Sequence, residues 1–253
     1  WLFSFNIQRK KKMTKPLQAI FFDVDDTLCA TTEFTQQARK DAIQAMINYG
    51  LNLPHEYLYN ELQEVIQEFS SNYTQHFDQL LLRIPTHTYQ NINKAILIAA
   101  AVAAYHDAKH CYLKPHPDVQ RFLEYLEPMP IIKGVITQGF AIKQAEKLIR
   151  LNIYTYLDCN AIFITDQIGI SKSNPKIYTH TCQKCNIQPE QTIYIGDNPI
   201  HDIDTANKAG LITVRVYRGK YKDKNGETQA HYEIQNLDQL QTILQQDFTC
   251  VAK

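Results

Sequence analysis

Two kinds of hydrophobic spacing alternate along this chain. Short apolar runs occupy Leu17–Asp23, Ile131–Thr137, Ala161–Thr165, Thr192–Gly196 and Leu211–Val216. Their length and their β-branched content predict buried parallel strands. Between them, apolar residues return every three or four positions, as in Ile142–Leu151 and Lys176–Cys185, and predict helices. A further helix after Gly196-Asp197 is expected to stop at Gly210, since glycine tolerates the left-handed turn that ends a helix. This alternation predicts an α/β protein, a doubly wound parallel sheet with helices on both faces.

One interval breaks the rhythm. The stretch between Asp23 and Thr137 is several times longer than one crossover needs, and it reads as helical throughout. Phe34, Ala38, Ala42, Met46 and Tyr49 form one stripe, with Gly50 as its stop. Leu58, Leu62, Val65, Ile66 and Phe69 form a second. Phe77, Leu80, Leu81 and Ile84 form a third. Ile92, Ile96, Ala99, Val102 and His106 form a fourth. A helical bundle over residues 31–112 is therefore expected to be inserted into a core made of residues 13–30 and 113–253. The linkers fall near Cys29–Thr32 and Tyr112–Pro117, and Lys114-Pro115-His116-Pro117 marks the return to the core.

Composition narrows the partners. Hydrophobic residues make up 44% of the chain, enough for a packed core. Lys+Arg and Asp+Glu are both 26, so no overall field draws the chain to nucleic acid or anionic lipid, and any anion recognition must be local. The six cysteines show no framework spacing, which favours reduced thiols and a cytoplasmic protein. Cys182 and Cys185 read as two helix positions, since no second pair completes a zinc or redox motif. The apolar run Ala95–Ala104 is about half the length a membrane-spanning helix requires. Residues 1–12, with Trp1 in front and a basic cluster at Arg9–Lys12, are expected to be a disordered remnant ahead of Met13. The oligomeric state, a homodimer included, stays open.

The chemistry gathers where strands end. Ala19-Ile20-Phe21-Phe22 runs directly into Asp23-Val24-Asp25-Asp26. Residues two apart on a strand face the same way, so Asp23 and Asp25 are candidates for one site. Crowded carboxylates need a positive partner, and a hard cation with oxygen ligands suits them, Mg²⁺ above Zn²⁺. One carboxylate can then serve as nucleophile and the other as acid/base. Thr137-Gln138-Gly139 is a turn whose hydroxyl and N–H groups can hold phosphate oxygens. Lys172 precedes a proline-started helix and can offset negative charge. Gly196-Asp197 and Asp202 add two carboxylates at a further strand end. In open α/β sheets ligands bind at these carboxyl ends.

Taken in this order, the four signals resemble those of the haloacid dehalogenase-like hydrolase superfamily. Asp23-Val24-Asp25-Asp26-Thr27-Leu28 is similar to its first motif, Thr137 to its second, Lys172 to its third and Gly196-Asp197 with Asp202 to its fourth. The helical insertion resembles the family's C1 cap. Segments 35–43 and 73–81 are similar to archaeal magnesium-dependent phosphatases, glyceraldehyde-3-phosphate phosphatases among them. The resemblance implies a phosphatase acting on a small phosphate ester. Asp23 would form an aspartyl-phosphate, with Asp25 as acid and base. Mg²⁺ would be held by Asp23, the Asp25 carbonyl, Asp197 and Asp202. Thr137, the Gln138 N–H and Lys172 would hold the phosphoryl group. Gln138, Phe140 and Ser173-Asn174 depart from the usual pattern and bear on the substrate, not on the reaction class.

Three other readings fit parts of this pattern. A binding protein with idle acids would waste a full set of competent residues. A dehalogenase needs no metal, which leaves Asp25, Asp197 and Asp202 without work. A phosphomutase uses the same residues and differs only in what accepts the phosphoryl group. In the insertion, Asn72, Tyr73, His76, Arg83 and His106 are polar candidates, with Lys143 beside the second motif. Packing is the expected role for each of the insertion's five. Arg218 and Lys220 are expected to be solvated loop charges.

Overall fold

The protein is described by a computed structural model covering residues 14–251. The expected remnant and start, residues 1–13, lie outside the described residues. The chain begins with β1 (Lys15–Leu17) and β2 (Ala19–Phe22). Four helices follow: α1 (Thr31–Asn48), α2 (His55–Phe69), α3 (His76–Arg83) and α4 (Lys94–Tyr112). The chain then alternates through α5 (Val119–Leu126), β3 (Ile132–Thr137), α6 (Ala141–Arg150), β4 (Ile162–Ile164), α7 (Thr165–Ile168) and α8 (Lys176–Cys185). Next come β5 (Thr192–Gly196), a π-helical turn over Pro199–Asp204 running into α9 (Thr205–Lys208), and β6 (Ile212–Val216). The last elements are β7 (Tyr232–Ile234), α10 (Leu237–Asp247) and β8 (Phe248–Cys250).

The sheet order is β4-β3-β2-β5-β6-β7, with every neighbouring pair parallel. From β2 the chain builds outward through β3 and β4, then returns to lay β5, β6 and β7 on the other side. The order reverses at β2 and β5, and a crevice opens there beyond the strand ends. Period two divides the core. Ile20 and Phe22 pack with Phe122, Leu123 and Leu240 on one face, whereas Ala19 and Phe21 pack with Ile177, Tyr178 and Tyr194 on the other. The expected doubly wound parallel sheet is thus present. Two differences stand out. The first strand splits at Gln18, and its forward piece β1 pairs with β8 in a separate parallel ladder. The short strands β7 and β8 carried no readable pattern.

The insertion has its own core, in which Ala42, Ile43 and Met46 of α1 meet Leu58, Leu62, Leu80, Leu81, Leu97 and Ala101. Phe34, Ala38, Ala108 and Leu113 instead join the core under the sheet. Gly50 ends α1 as expected, at φ +106°, with Leu51 N–H reaching back to the Met46 carbonyl at 3.1 Å. The fourth stripe is corrected. Leu97, Ala101 and Ala108 are buried, whereas Ile96 is 50% and Val102 39% exposed. This helix is alanine-rich and apolar on nearly every side, so its sequence has no clear polar face to give the orientation away. Packing against α1 selects the face.

Candidate functional site

Asp23 stands one residue beyond β2, and Asp197 one beyond β5. Register pairs Phe22 with Ile195, so Asp23 comes level with Gly196 and Asp197 follows one residue further along the same edge of the sheet. The Asp23 N–H donates to the Ile195 carbonyl at 2.8 Å and prolongs the ladder by one bond. Asp202 arrives on the π-helical turn. Its Oδ2 accepts from the Asn198 N–H at 3.0 Å, and its Oδ1 lies 3.1 Å from the Tyr194 hydroxyl. Gly196 makes room for this, because a Cβ there would fall 2.4 Å from Asp202 Oδ2. One oxygen from each of Asp23, Asp197 and Asp202 lies within 4.8 Å of the other two, and all three residues are buried.

Among the described residues, Lys172 is the one cation inside this group. Its Nζ donates to Asp23 Oδ1 at 2.7 Å and pairs with Asp202. Burial opposes the ammonium, but Asp202 and Asp23 outweigh burial and hold it charged. One lysine does not balance three carboxylates. Burial, with the neighbouring Asp202 and Asp25 charges, pushes Asp23 up to about 7 against the pull of Lys172. Burial and the charges of Asp202 and Asp23 push Asp197 up to about 9. Asp197 Oδ2 is buried and has no hydrogen-bond partner. An orphaned carboxylate oxygen beside two more carboxylates is what a site for a hard divalent cation requires.

Asp25 is on the same loop but its carboxylate goes elsewhere. Oδ1 accepts from the Thr31 hydroxyl at 2.6 Å and pairs with Lys147, while Oδ2 accepts from Gln144 Nε2 at 3.1 Å. Burial raises this group, but Lys147 and these hydrogen bonds outweigh it and hold the carboxyl below the usual range. The side chain is therefore held as a base in this structure, not as the protonated acid that the resemblance suggests for a first step. Asp26, the third carboxylate, turns the chain at φ +59° and accepts from the Thr32 N–H at 2.8 Å at the start of α1. Its role is to shape the loop.

Thr137 ends β3. Its hydroxyl is buried and donates to Gln144 Oε1 at 3.2 Å, and Gln144 Nε2 also donates to the Gln138 carbonyl at 3.0 Å. Gln138 lines the cavity above the aspartates. That cavity has a volume of about 790 Å³ and extends to the inserted helices. The insertion's Asn72, Tyr73, His76 and His106 line it, as do Lys143 and Lys220. Arg83 does not, being paired with Glu68 and Glu64. The expectation for Arg218 is corrected. Its guanidinium is buried, pairs with Asp118 and donates to the Thr27 carbonyl at 2.7 Å, so it anchors the loop after Asp23.

Gln144 and Lys147 were not singled out in the sequence. A signal existed: with Leu148 and Leu151 they occupy one helical face, and a glutamine and a lysine on an otherwise apolar stripe need a polar destination.

The sequence pattern of the haloacid dehalogenase-like hydrolase family matches residues 20–216. The chain belongs to that family. It is 43% identical over 235 residues to the glyceraldehyde 3-phosphate phosphatase of Methanopyrus kandleri, covering 91% of this chain and 98% of the relative. It is 35% identical over 228 residues to the protein of the same name from Methanocaldococcus jannaschii, covering 90% and 97%. Among solved structures, a HAD phosphatase from Thermococcus onnurineus matches with a TM-score of 0.68 at 19% identity, covering 91% of this chain and 99% of that one. This family member is thus an α/β hydrolase with a buried acidic cluster at its strand ends. Among the described residues no helix is long and apolar enough to cross a membrane.

Proposed function

We propose that this hydrolase is a Mg²⁺-dependent phosphatase that removes phosphate from a small monoester. Glyceraldehyde 3-phosphate, the substrate in the names of its relatives, is the first compound to test. The observation that carries the reading is the buried group of Asp23, Asp197 and Asp202, with one carboxylate oxygen lacking any partner. Those three residues would hold the metal. A divalent cation there supplies Lewis-acid neutralisation of the phosphoryl oxygens.

Phosphoryl transfer asks mainly for positioning and charge stabilisation. Lys172, 4% exposed and bonded to Asp23, orients the nucleophile and offers its charge to the transferring group. A carboxylate oxygen of Asp23 attacks phosphorus, the bond from phosphorus to the ester oxygen breaks, and that oxygen takes a proton from Asp25. In the second half Asp25 removes a proton from water, the water oxygen bonds to phosphorus, and inorganic phosphate leaves Asp23 free. Asp25 must acquire its proton before the first half. A bound phosphoryl group is a competing anion for Lys147 in the shared cavity, and loss of that contact lets Asp25 protonate. The Gln138 N–H at the turn is assigned to a phosphoryl oxygen, with Thr137 holding the turn through Gln144.

Residues 31–112 are assigned as a cap over a core made of 13–30 and 113–253. The two linkers meet, with Cys29 bridged to Pro115 and the His116 N–H donating to the Leu28 carbonyl at 3.0 Å. The proposal places the enzyme in the cytoplasm, acting on a small molecule and not on nucleic acid or a membrane surface. The test is release of inorganic phosphate from glyceraldehyde 3-phosphate and p-nitrophenyl phosphate. EDTA should abolish it and Mg²⁺ restore it. Full activity after metal removal, or an isomerised phosphate ester in place of inorganic phosphate, would overturn the reading.

A further inference from the structure

The cations lining the cavity differ in how they are neutralised. Lys172 pairs with Asp23 and Asp202, Lys147 with Asp25, and Lys109 with Glu146 at 3.0 Å. Lys143, set over the Phe140 ring, and Lys220, set over the Tyr221 ring, have no carboxylate partner among the described residues. Arg39, the guanidinium on α1 in the insertion, has none either. It lines the same cavity, and among the described residues no carboxylate lies within ion-pair distance of it. Its one hydrogen bond is a long one, from Nη1 to Gln63 Oε1 at 3.4 Å. The amide nitrogen of Gln63 is itself buried without a partner.

A guanidinium carries five N–H donors in a rigid fork. Leaving such a group half-buried and unpaired is costly, because water is removed and nothing replaces it. Burial indeed depresses its ionisation, with the Tyr105 and Tyr59 phenols opposing that. The cavity wall it shares is mixed, with Phe34, Leu62, Ile66 and Tyr105 beside Gln36 and His76, and none of these offers a negative charge. In such a wall a planar donor fork selects for oxygen acceptors presented as a pair. The transferring phosphoryl group already has Lys172 and the attacking Asp23 at the cavity floor. What remains for Arg39 is the other end of the ester.

Resting on the phosphatase reading above, we propose that Arg39 is the specificity-determining residue of the insertion. It binds the non-transferred end of a short phosphate ester whose far end carries oxygen acceptors, and it favours a carboxylate over an aldehyde or hydroxyl. The charge argument sets that order. A carboxylate satisfies two donors and the charge of the fork together, whereas a carbonyl or hydroxyl satisfies donors only.

The experiment compares kcat and KM for 3-phosphoglycerate, glyceraldehyde 3-phosphate, glycerol 3-phosphate and phenyl phosphate, the last having no far-end acceptor. Wild type, Arg39→Met and Arg39→Lys are measured with Mg²⁺. Arg39→Met is expected to raise KM for 3-phosphoglycerate about 10–100-fold, the effect of removing a charge-assisted hydrogen bond, and KM for glyceraldehyde 3-phosphate by less. The loss in kcat/KM on 3-phosphoglycerate should exceed that on phenyl phosphate by at least about tenfold. Arg39→Lys, which keeps charge without the fork, should fall between. Thermal melts check folding, and the lysine variant carries the test if the methionine variant is unstable. Equal losses on all four esters would show a structural role and overturn the assignment. A wild-type preference for glyceraldehyde 3-phosphate or glycerol 3-phosphate over 3-phosphoglycerate would overturn the charge argument. Release of phosphate from none of the four by wild type would instead strike the phosphatase reading itself.

Discussion

At the scale of single residues, Asp23 and Asp25 lie two positions apart and are held in opposite ways. Asp23 sits among carboxylates with Lys172 as its partner, and Asp25 is tied to Lys147, Thr31 and Gln144. Their substitution by asparagine should therefore differ in kind. Asp23→Asn removes the proposed nucleophile, and phosphate release should vanish on every ester. Asp25→Asn leaves the nucleophile and removes proton transfer, worth about 10²–10⁴-fold. The loss should be smaller on p-nitrophenyl phosphate, whose leaving oxygen hardly needs a proton, than on glyceraldehyde 3-phosphate. Rates of both variants on both esters check this. An equal loss at Asp25 on the two, with chemistry rate-limiting, would refute the acid–base role.

Between elements, two contacts matter most. In the insertion, α4 presents Leu97 and not Ile96 to its neighbours. Leu97→Ala should cost about 2–5 kcal/mol by opening a cavity, whereas Ile96→Ala should be close to neutral. Denaturant unfolding of the two variants compares them directly. The second contact joins the loop after β2 to the far helices. Asp118 accepts from the Leu237 N–H at 2.6 Å and pairs with Arg218, which also holds the Thr27 carbonyl. Burial opposes the Asp118 charge, but the Leu237 bond and Arg218 outweigh it and hold its carboxyl below the ordinary range. A depressed carboxyl contributes stability above its unfolded value, near pH 4, and loses it as pH falls through the folded one. Asp118→Ala strands Arg218 and should cost about 3 kcal/mol. It should lower the melting temperature by several degrees at neutral pH, and by less as the pH falls below about 4.

For the molecule as a whole, burying three carboxylates side by side costs stability that a bound cation would restore. Without a cation, burial and the neighbouring carboxylates push Asp23 up to about 7 and Asp197 up to about 9, whereas the unfolded chain releases those protons near pH 4. A raised carboxyl contributes stability below the unfolded value and loses it as pH rises through the folded one. The metal-free protein should thus melt at progressively lower temperature from pH 5 to pH 9. Metal binding takes the ionised form and releases protons, so stabilisation by Mg²⁺ should grow over the same range. Thermal melts with EDTA and with Mg²⁺ at several pH values test this. A Mg²⁺-induced shift that is flat with pH would place the cation elsewhere.

Much of this arrangement is written locally. The abrupt change from Phe22 to Asp23 and the turn at Gly196-Asp197 mark strand ends by themselves, because a buried strand cannot continue into charge. The four inserted helices show in their apolar spacing. Alternation of elements implies the parallel sheet, and parallel order brings Asp23, Thr137 and Asp197 to one edge. Local pattern has no access to partners brought together from distant parts of the chain. The β1–β8 ladder joins the two ends of the described chain, and strands of three residues carry too little period to be read. The face of α4 was decided by packing against α1, since an alanine-rich helix presents no polar side. Which of three neighbouring carboxylates joins the cluster depended on backbone turns at Asp26 and on Lys147 reaching Asp25 from α6. In the sequence Arg218 reads as a solvated loop charge, and nothing there sets Arg39 apart. Only the tertiary structure gives one a buried carboxylate and leaves the other unpaired in the cavity wall, because the cost of a charge is set by what surrounds it once water is gone.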